Sequence, residues 1–356
     1  MSGCKIKICG LRRQEDISYV NRALPDFAGF IINFPKSHRS TSADEVRALR
    51  EGLDERIQPV GVFVDEDPRI VAGLLKEGTI GLAQLHGSET PEMIRRLQKE
   101  TNRPVIKAFI PFITCGDPSL EVTRQLVFAM AEAGADIIEL GIPFSDPTAE
   151  GPVIQGANLR ALSGGVTTDK IFTMVKEIRK TCQIPLVFMT YANVVFSYGT
   201  ELFMKRSAEV GMDGLILPDV PFEEKEEFDA AAKNEGLDLI SLIAPTSHER
   251  ITKIAREAEG FVYCVSSLGV TGTRSQITTD IASMVRLVKE VKDIPCAVGF
   301  GISTPEQANK MASQSDGAIV GSAIVKLCAK YGPDCVPYVQ EYVRQMKKAV
   351  IEDSTK

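Results

Sequence analysis

Short runs of Val, Ile, Leu and Phe alternate with helix-length amphipathic segments from one end of the chain to the other. The apolar runs are KIKIC, AGFIIN, PVGVFV, IGLAQL, VIKAFIPFIT, IIELG, LVFMT, GLIL, LISLIA, FVYCV, CAVGF and GAIVG. Runs this short and this uniformly apolar predict parallel strands covered on both faces, hence an α/β chain built of repeated βα units. A closed (β/α)8 barrel and a doubly wound open sheet share that local pattern.

Counting narrows the choice. The runs make twelve strands, and a barrel of this type closes with about eight. The last two strands end in the glycine loops Gly299-Phe300-Gly301-Ile302-Ser303 and Gly321-Ser322-Ala323. Such barrels hold phosphate on loops of this kind, with backbone amides and a helix N-terminus as donors. A complete TIM barrel is therefore expected over residues 105–356, preceded by a surplus (βα)4 half barrel over residues 1–104. VIKAFIPFIT joins two strand-like segments without a turn and is read as one strand, the first of the complete barrel. Residues 86–105, HGSETPEMIRRLQKETNRPV, read as a capped helix and a turn rather than a flexible linker.

Composition adds boundaries rather than detail. The 356 residues are 44% hydrophobic and 25% charged with a formal net charge of -6, which describes an ordinary globular chain and argues against nucleic acid as the main partner. A small anionic substrate must then find local positive potential. No apolar run approaches the roughly 18 residues of a membrane span, and MSGCKIKICG lacks a signal-peptide core, so a cytoplasmic location is expected. The cysteines are scattered without a CxxC pair, which predicts reduced thiols and neither a disulfide framework nor a zinc site.

Candidate chemistry sits at strand ends. Glu139 lies in IIELG, and Asp146 and Glu150 follow in PFSDPTAEGP, so three carboxylates are expected at the catalytic face of the barrel. Pro143, Pro147 and Pro152 stiffen that loop, which suits positioned groups better than a solvated surface. Gly269-Val270-Thr271-Gly272, one strand before the two glycine loops, converges on the same rim and suits a closing lid, with Arg274 as an available cation.

These residues resemble a known family. Residues 109–350 are similar to the tryptophan synthase alpha chain through FIPFITCGDP, GADIIELGIPFSDPTAEGPVIQ, YANVVFSYG, GLILPDVP, GVTG, GFGIS and GSAIV. The resemblance implies retro-aldol cleavage of indole-3-glycerol phosphate to indole and glyceraldehyde 3-phosphate. It also implies no cofactor in this chain and a beta-chain partner that carries pyridoxal phosphate and receives the indole. By family match Glu139 is the general acid/base, and Glu150 stands where the family more commonly has Asp and handles the indole N–H. Phe112, Tyr191 and Tyr263 match residues around the substrate. Thr271, Gly272, Gly301, Gly321 and Ser322 match phosphate and lid positions, and Asp146 and Pro147 match the loop facing the beta chain. The extra methylene of Glu150 moves its carboxylate by more than about 1 Å, and a misplacement of that size can cost on the order of a hundredfold in rate, so the loop is expected to compensate.

Residues 4–109 resemble the first half of phosphoribosylanthranilate isomerase through KICGL, FPKSHR, PVGVFVDE, LAQLHGSE and PVIKAF. Cys9 matches that family's general base, and Arg39 and His86 match residues near its substrate. The later strands, with the general-acid Asp and the phosphate loops, are missing, so isomerase activity is expected to be absent or negligible. A half barrel leaves open sheet edges, and its last helix, near residues 92–99, is expected to stand in for the helix that alpha chains carry beneath the barrel. The alternatives are a bifunctional enzyme and a silent barrel that only binds and activates a beta chain.

Overall fold

The computed structural model describes residues 6–64, 66–85, 97, 101, 105–266, 280–292, 294–299 and 301–351. Its strands are β1 (Lys7–Cys9), β2 (Phe27–Ile32), β3 (Ser40–Thr41), β4 (Gln58–Phe63), β5 (Leu82–Leu85), β6 (Val105–Ile106), β7 (Ala108–Thr114), β8 (Ile138–Gly141), β9 (Leu186–Met189), β10 (Gly214–Ile216), β11 (Asp238–Leu239), β12 (Ser241–Ile243), β13 (Val262–Val265), β14 (Cys296–Gly299) and β15 (Gly317–Val320). They form two sheets, and the chain divides between Lys107 and Ala108 into two compact units.

In the first unit the strands pair in parallel in the order β1-β2-β4-β5-β6, with β3 added beside β2. Helices Gln14–Ala23, Ala43–Glu51 and Pro68–Lys76 connect them. Ser42 and Glu45 form a reciprocal cap that fixes the second helix start, and the Asp67 side chain accepts from the Arg69 N–H at the third. Strand alternation sends Ala28, Phe30 and Ile32 to the helix side, where they pack with Val46, Leu49, Val71 and Leu74. The helix expected near residues 92–99 falls, apart from Leu97, outside the described residues.

The reading of VIKAFIPFIT as one strand needs correcting. Val105 and Ile106 pair with Ala83 and Gln84 of the first sheet, whereas Ala108–Thr114 pairs with β15 and β8 of the second. Lys107 is the switch point, so the units part three residues later than the sequence suggested, and the half barrel gains a short fifth strand in its main path. The physical reason is edge satisfaction: Val105 and Ile106 supply hydrogen-bond partners to β5, which otherwise ends the sheet.

The second unit has the order β11-β10-β9-β8-β7-β15-β14-β13-β12, all parallel. Its two ends belong to the single run DLISLIA, residues 238–244. Asp238–Leu239 pairs with β10 and Ser241–Ile243 pairs with β13, with Ile240 between them still donating its N–H to Leu215 O at 2.9 Å. One strand thus serves one neighbour with each half, and the barrel is nearly closed. Alternation sorts side chains into two layers. Phe109, Ile113, Ile138, Leu140, Val262 and Cys264 face the surrounding helices, while Ile110, Phe112, Val187, Tyr263, Ala297 and Ile319 fill the interior. No described helix is long and apolar enough to cross a membrane.

Candidate active site

Glu139 sits between Ile138 and Leu140, both in the outer layer, so strand alternation turns its carboxylate into the barrel. It is 1% exposed, and its Oε2 is buried without a hydrogen-bond partner among the described residues. An unpaired buried carboxylate oxygen is costly as an anion. Burial, reinforced by the nearby Glu150, accordingly pushes the Glu139 carboxyl up to about 8.

Glu150 arrives from the loop after β8. Its neighbour Gly151 caps helix Pro152–Ser163, and Pro152 opens the helix where a missing N–H costs nothing. The Glu150 carboxylate is 6% exposed, and burial raises it to about 7 against the opposing effect of a 2.7 Å hydrogen bond from Asn158 Nδ2. Gln155 Nε2 donates to the Glu150 carbonyl at 2.7 Å, and the Ala149 N–H donates to the Tyr191 hydroxyl at 3.1 Å. Tyr191 is packed against Phe144, with ring centroids 5.3 Å apart.

Both carboxylates line one cavity, shared with Phe112, Tyr263, Gly301, Gly321 and Ser322. Phe112 is paired in register with Glu139 across β7 and β8. Gly301 has a φ of +84°, a conformation glycine adopts without penalty. Gly321 precedes helix Ser322–Tyr331 without a capping side chain, which leaves the helix N-terminus open toward the cavity rim. Tyr263 is buried, and its phenol is pushed well above its ordinary value by burial and by Glu139.

Of the residues singled out in the sequence, Phe112, Glu139, Glu150, Tyr263, Gly301, Gly321 and Ser322 are therefore brought together. Tyr191 touches the site through Ala149 rather than through the cavity wall. Asp146 is exposed and Pro147 partly so, on the loop leading to Glu150. Thr271, Gly272 and Arg274 lie outside the described residues.

Asn158 and Gly141 were missed in the sequence, and Gly299 was read only as part of a phosphate loop, not as the seat of a ring. A Cβ at Gly141 would come within 2.6 Å of the Phe112 ring, and one at Gly299 would overlap the Tyr263 ring. Only the barrel places these glycines under those rings, so no local signal marks them. The buried Asp117 carboxylate, tied to Arg160 at 2.8 Å through two parallel bonds, was also unmarked and braces the helix that follows Glu150.

In the first unit, Cys9 ends β1 beside Gly10, whose φ is +80°, and the Arg39 stem packs where a Gly10 side chain would project. Cys9, Arg12, His38 and Arg39 share one cleft. His86 lies outside the described residues.

A parallel barrel with two buried carboxylates of raised proton affinity in its mouth and glycines at the ends of its last strands has the architecture of a (β/α)8-barrel enzyme. Comparison with known proteins makes this particular. The family model for the tryptophan synthase alpha chain matches residues 98–351, and the one for N-(5'phosphoribosyl)anthranilate (PRA) isomerase matches residues 6–127. The tryptophan synthase alpha chain of Lacticaseibacillus casei is 48% identical over 244 residues, 68% of this chain and 92% of that one. That of Thermoanaerobacter sp. (strain X514) is 49% identical over 246 residues, 68% and 94% of the two chains. Among solved structures, Mycobacterium tuberculosis tryptophan synthase superposes with a TM-score of 0.64 at 36% identity, covering 69% of this chain and 93% of that one. The tryptophan synthase a2b2 complex of Pyrococcus furiosus gives 0.62 at 35% identity, covering 67% and 97%. The chain belongs to the tryptophan synthase alpha chain family, with an isomerase-like segment in front of the barrel.

Proposed function

We propose that this chain cleaves indole-3-glycerol phosphate to indole and glyceraldehyde 3-phosphate, as a step of tryptophan biosynthesis, with Glu139 and Glu150 as the acid–base pair. The observation that carries this reading is the placement of two buried carboxylates, both with raised proton affinity, on one cavity. At neutral pH Glu139 holds its proton and Glu150 is about half ionised. Glu139 donates its proton to indole C3, and the positive charge that develops at the ring N–H is held by the Glu150 carboxylate. The Glu139 carboxylate then takes the proton of the glycerol hydroxyl. The C3–carbon bond breaks, its electrons return to the ring, and an aldehyde is left where the alcohol was. Glu139 ends protonated, as it began.

Phe112 and Tyr263 supply the apolar walls for the indole, and Gly301, Gly321 and Ser322, which line the same cavity, supply backbone amides for the phosphate; resemblance to the family assigns Thr271 and Gly272 to the same role. The partner is a tryptophan synthase beta chain carrying pyridoxal phosphate, in line with the a2b2 complex of the Pyrococcus furiosus relative. Asp146, exposed, and Pro147, half-buried, on the loop that leads to Glu150, form the contact through which that partner acts. Because Glu150 reaches the same cavity as Glu139, the arrangement favours a working lyase over a barrel that only activates a beta chain. The isomerase-like unit has Cys9 and Arg39 in one cleft but lacks that family's later strands, so it carries no isomerase activity. Indole release from indole-3-glycerol phosphate, measured with and without a beta chain, tests the reading; turnover unchanged in Glu139→Gln would sink it.

A further inference from the structure

Glu150 is gripped by the helix that follows it. Gln155 holds its carbonyl oxygen, and Asn158, two turns into the helix and 4% exposed, holds one carboxylate oxygen, Oε2, at 2.7 Å. No described residue donates to the other oxygen, Oε1. The longer Glu side chain has an additional torsion, so without a fixed donor its carboxylate would sample several rotamers across the cavity mouth. Asn158 has no competing carboxylate partner among the described residues and sits on a helix that is itself braced, through Arg160, to the buried Asp117.

From this geometry, and resting on the lyase reading above, we propose that Asn158 is the positioning residue for Glu150. Its amide fixes Oε2 and thereby presents Oε1 to the indole N–H, which supplies the compensation that the extra methylene requires. The donor acts in a second way, since a hydrogen bond given to the carboxylate favours the ionised form that must receive the ring N–H. The helix N-terminus beside Gly151 favours the same charge.

The test is the pH dependence of indole release by the full chain and by Asn158→Leu, which keeps the branched outline of the side chain and removes the donor. With Leu, the acid limb of kcat is expected to move up by half a pH unit or more. The rate at neutral pH falls at least tenfold, KM changes less than threefold, and the deficit narrows as pH rises and Glu150 ionises. Asn158→Gln, which retains an amide, recovers part of the neutral-pH rate. A loss of equal size at every pH with an unmoved acid limb would show a purely structural role and overturn the proposal, as would wild-type kinetics. If Asn158→Leu does not fold by circular dichroism, Asn158→Ala is put through the same profile with the same criteria. Failure here stays distinguishable from failure of the lyase reading, because Glu139→Gln is inactive in the first case and active in the second.

Discussion

Phe112 of β7 stands directly opposite Glu139 of β8 in the parallel ladder, and Gly141 leaves the room into which the Phe112 ring extends. The pairing sets an apolar ring beside a buried carboxylate whose Oε2 has no hydrogen-bond partner among the described residues. That juxtaposition keeps water off Glu139 and its proton on it.

The pH–rate profile of the lyase reaction follows from the two carboxyls. Glu150 must be ionised, which happens as pH rises through about 7, and Glu139 must start protonated, which ends as pH passes about 8. A narrow bell is expected with its top between those values, and the limbs belong to the pair as a unit. Initial rates of indole release between pH 5.5 and about 9.5 check this; a rate that climbs steadily across the range would exclude Glu139 as the proton donor.

Raised proton affinity also has a stability consequence. The Glu139 carboxyl titrates near 4.5 when unfolded and about 8 when folded. Between those values the folded chain binds the extra proton, so stability is full below 4.5 and is lost as pH rises through 8. Glu139→Gln removes this liability and is expected to gain on the order of 5 kcal/mol over the parent at alkaline pH and much less at acid pH. Urea unfolding at both ends of the range is the measurement, and equal gains at both would count against burial as the cause.

Gly299→Ala tests the ring seat of Tyr263. The new methyl would overlap the phenol ring, and relief requires the ring or the strand to move. Overpacking of this kind costs about 1–3 kcal/mol, and a displaced ring is expected to lower kcat/KM by roughly a hundredfold. Thermal unfolding together with indole release reads both, and a fully active, equally stable variant would show that the seat has slack.

The isomerase-like unit is expected to be inert. Purified protein should turn over no phosphoribosylanthranilate, even though Cys9 and Arg39 share a cleft. Turnover that disappears in Cys9→Ala would establish a second activity.

Asp146→Ala probes the partner loop. Asp146 is exposed and lies on the same non-helical loop as Glu150, so activation of indole release by an added beta chain is expected to drop at least tenfold, and more than the unassisted rate. Rates with and without the beta chain decide it, and undiminished activation would place the contact elsewhere.

The sequence by itself determined the repeated βα pattern, the eight-strand barrel behind a surplus half, and the two acidic positions, because apolar periodicity and strand-end chemistry are local properties. It left open what depends on which strand lies beside which. Hydrogen bonding to β5 drew Val105 and Ile106 into the first sheet. Ring closure divided Asp238–Ile243 between two neighbours. Packing across the barrel made Gly141 and Gly299 the seats of Phe112 and Tyr263. A helix turn brought Asn158 back onto Glu150. The strand pairings and ring seats are contacts between residues far apart along the chain, whose energy exists only once the sheets have formed, and Asn158 meets Glu150 only once the helix that carries it is wound.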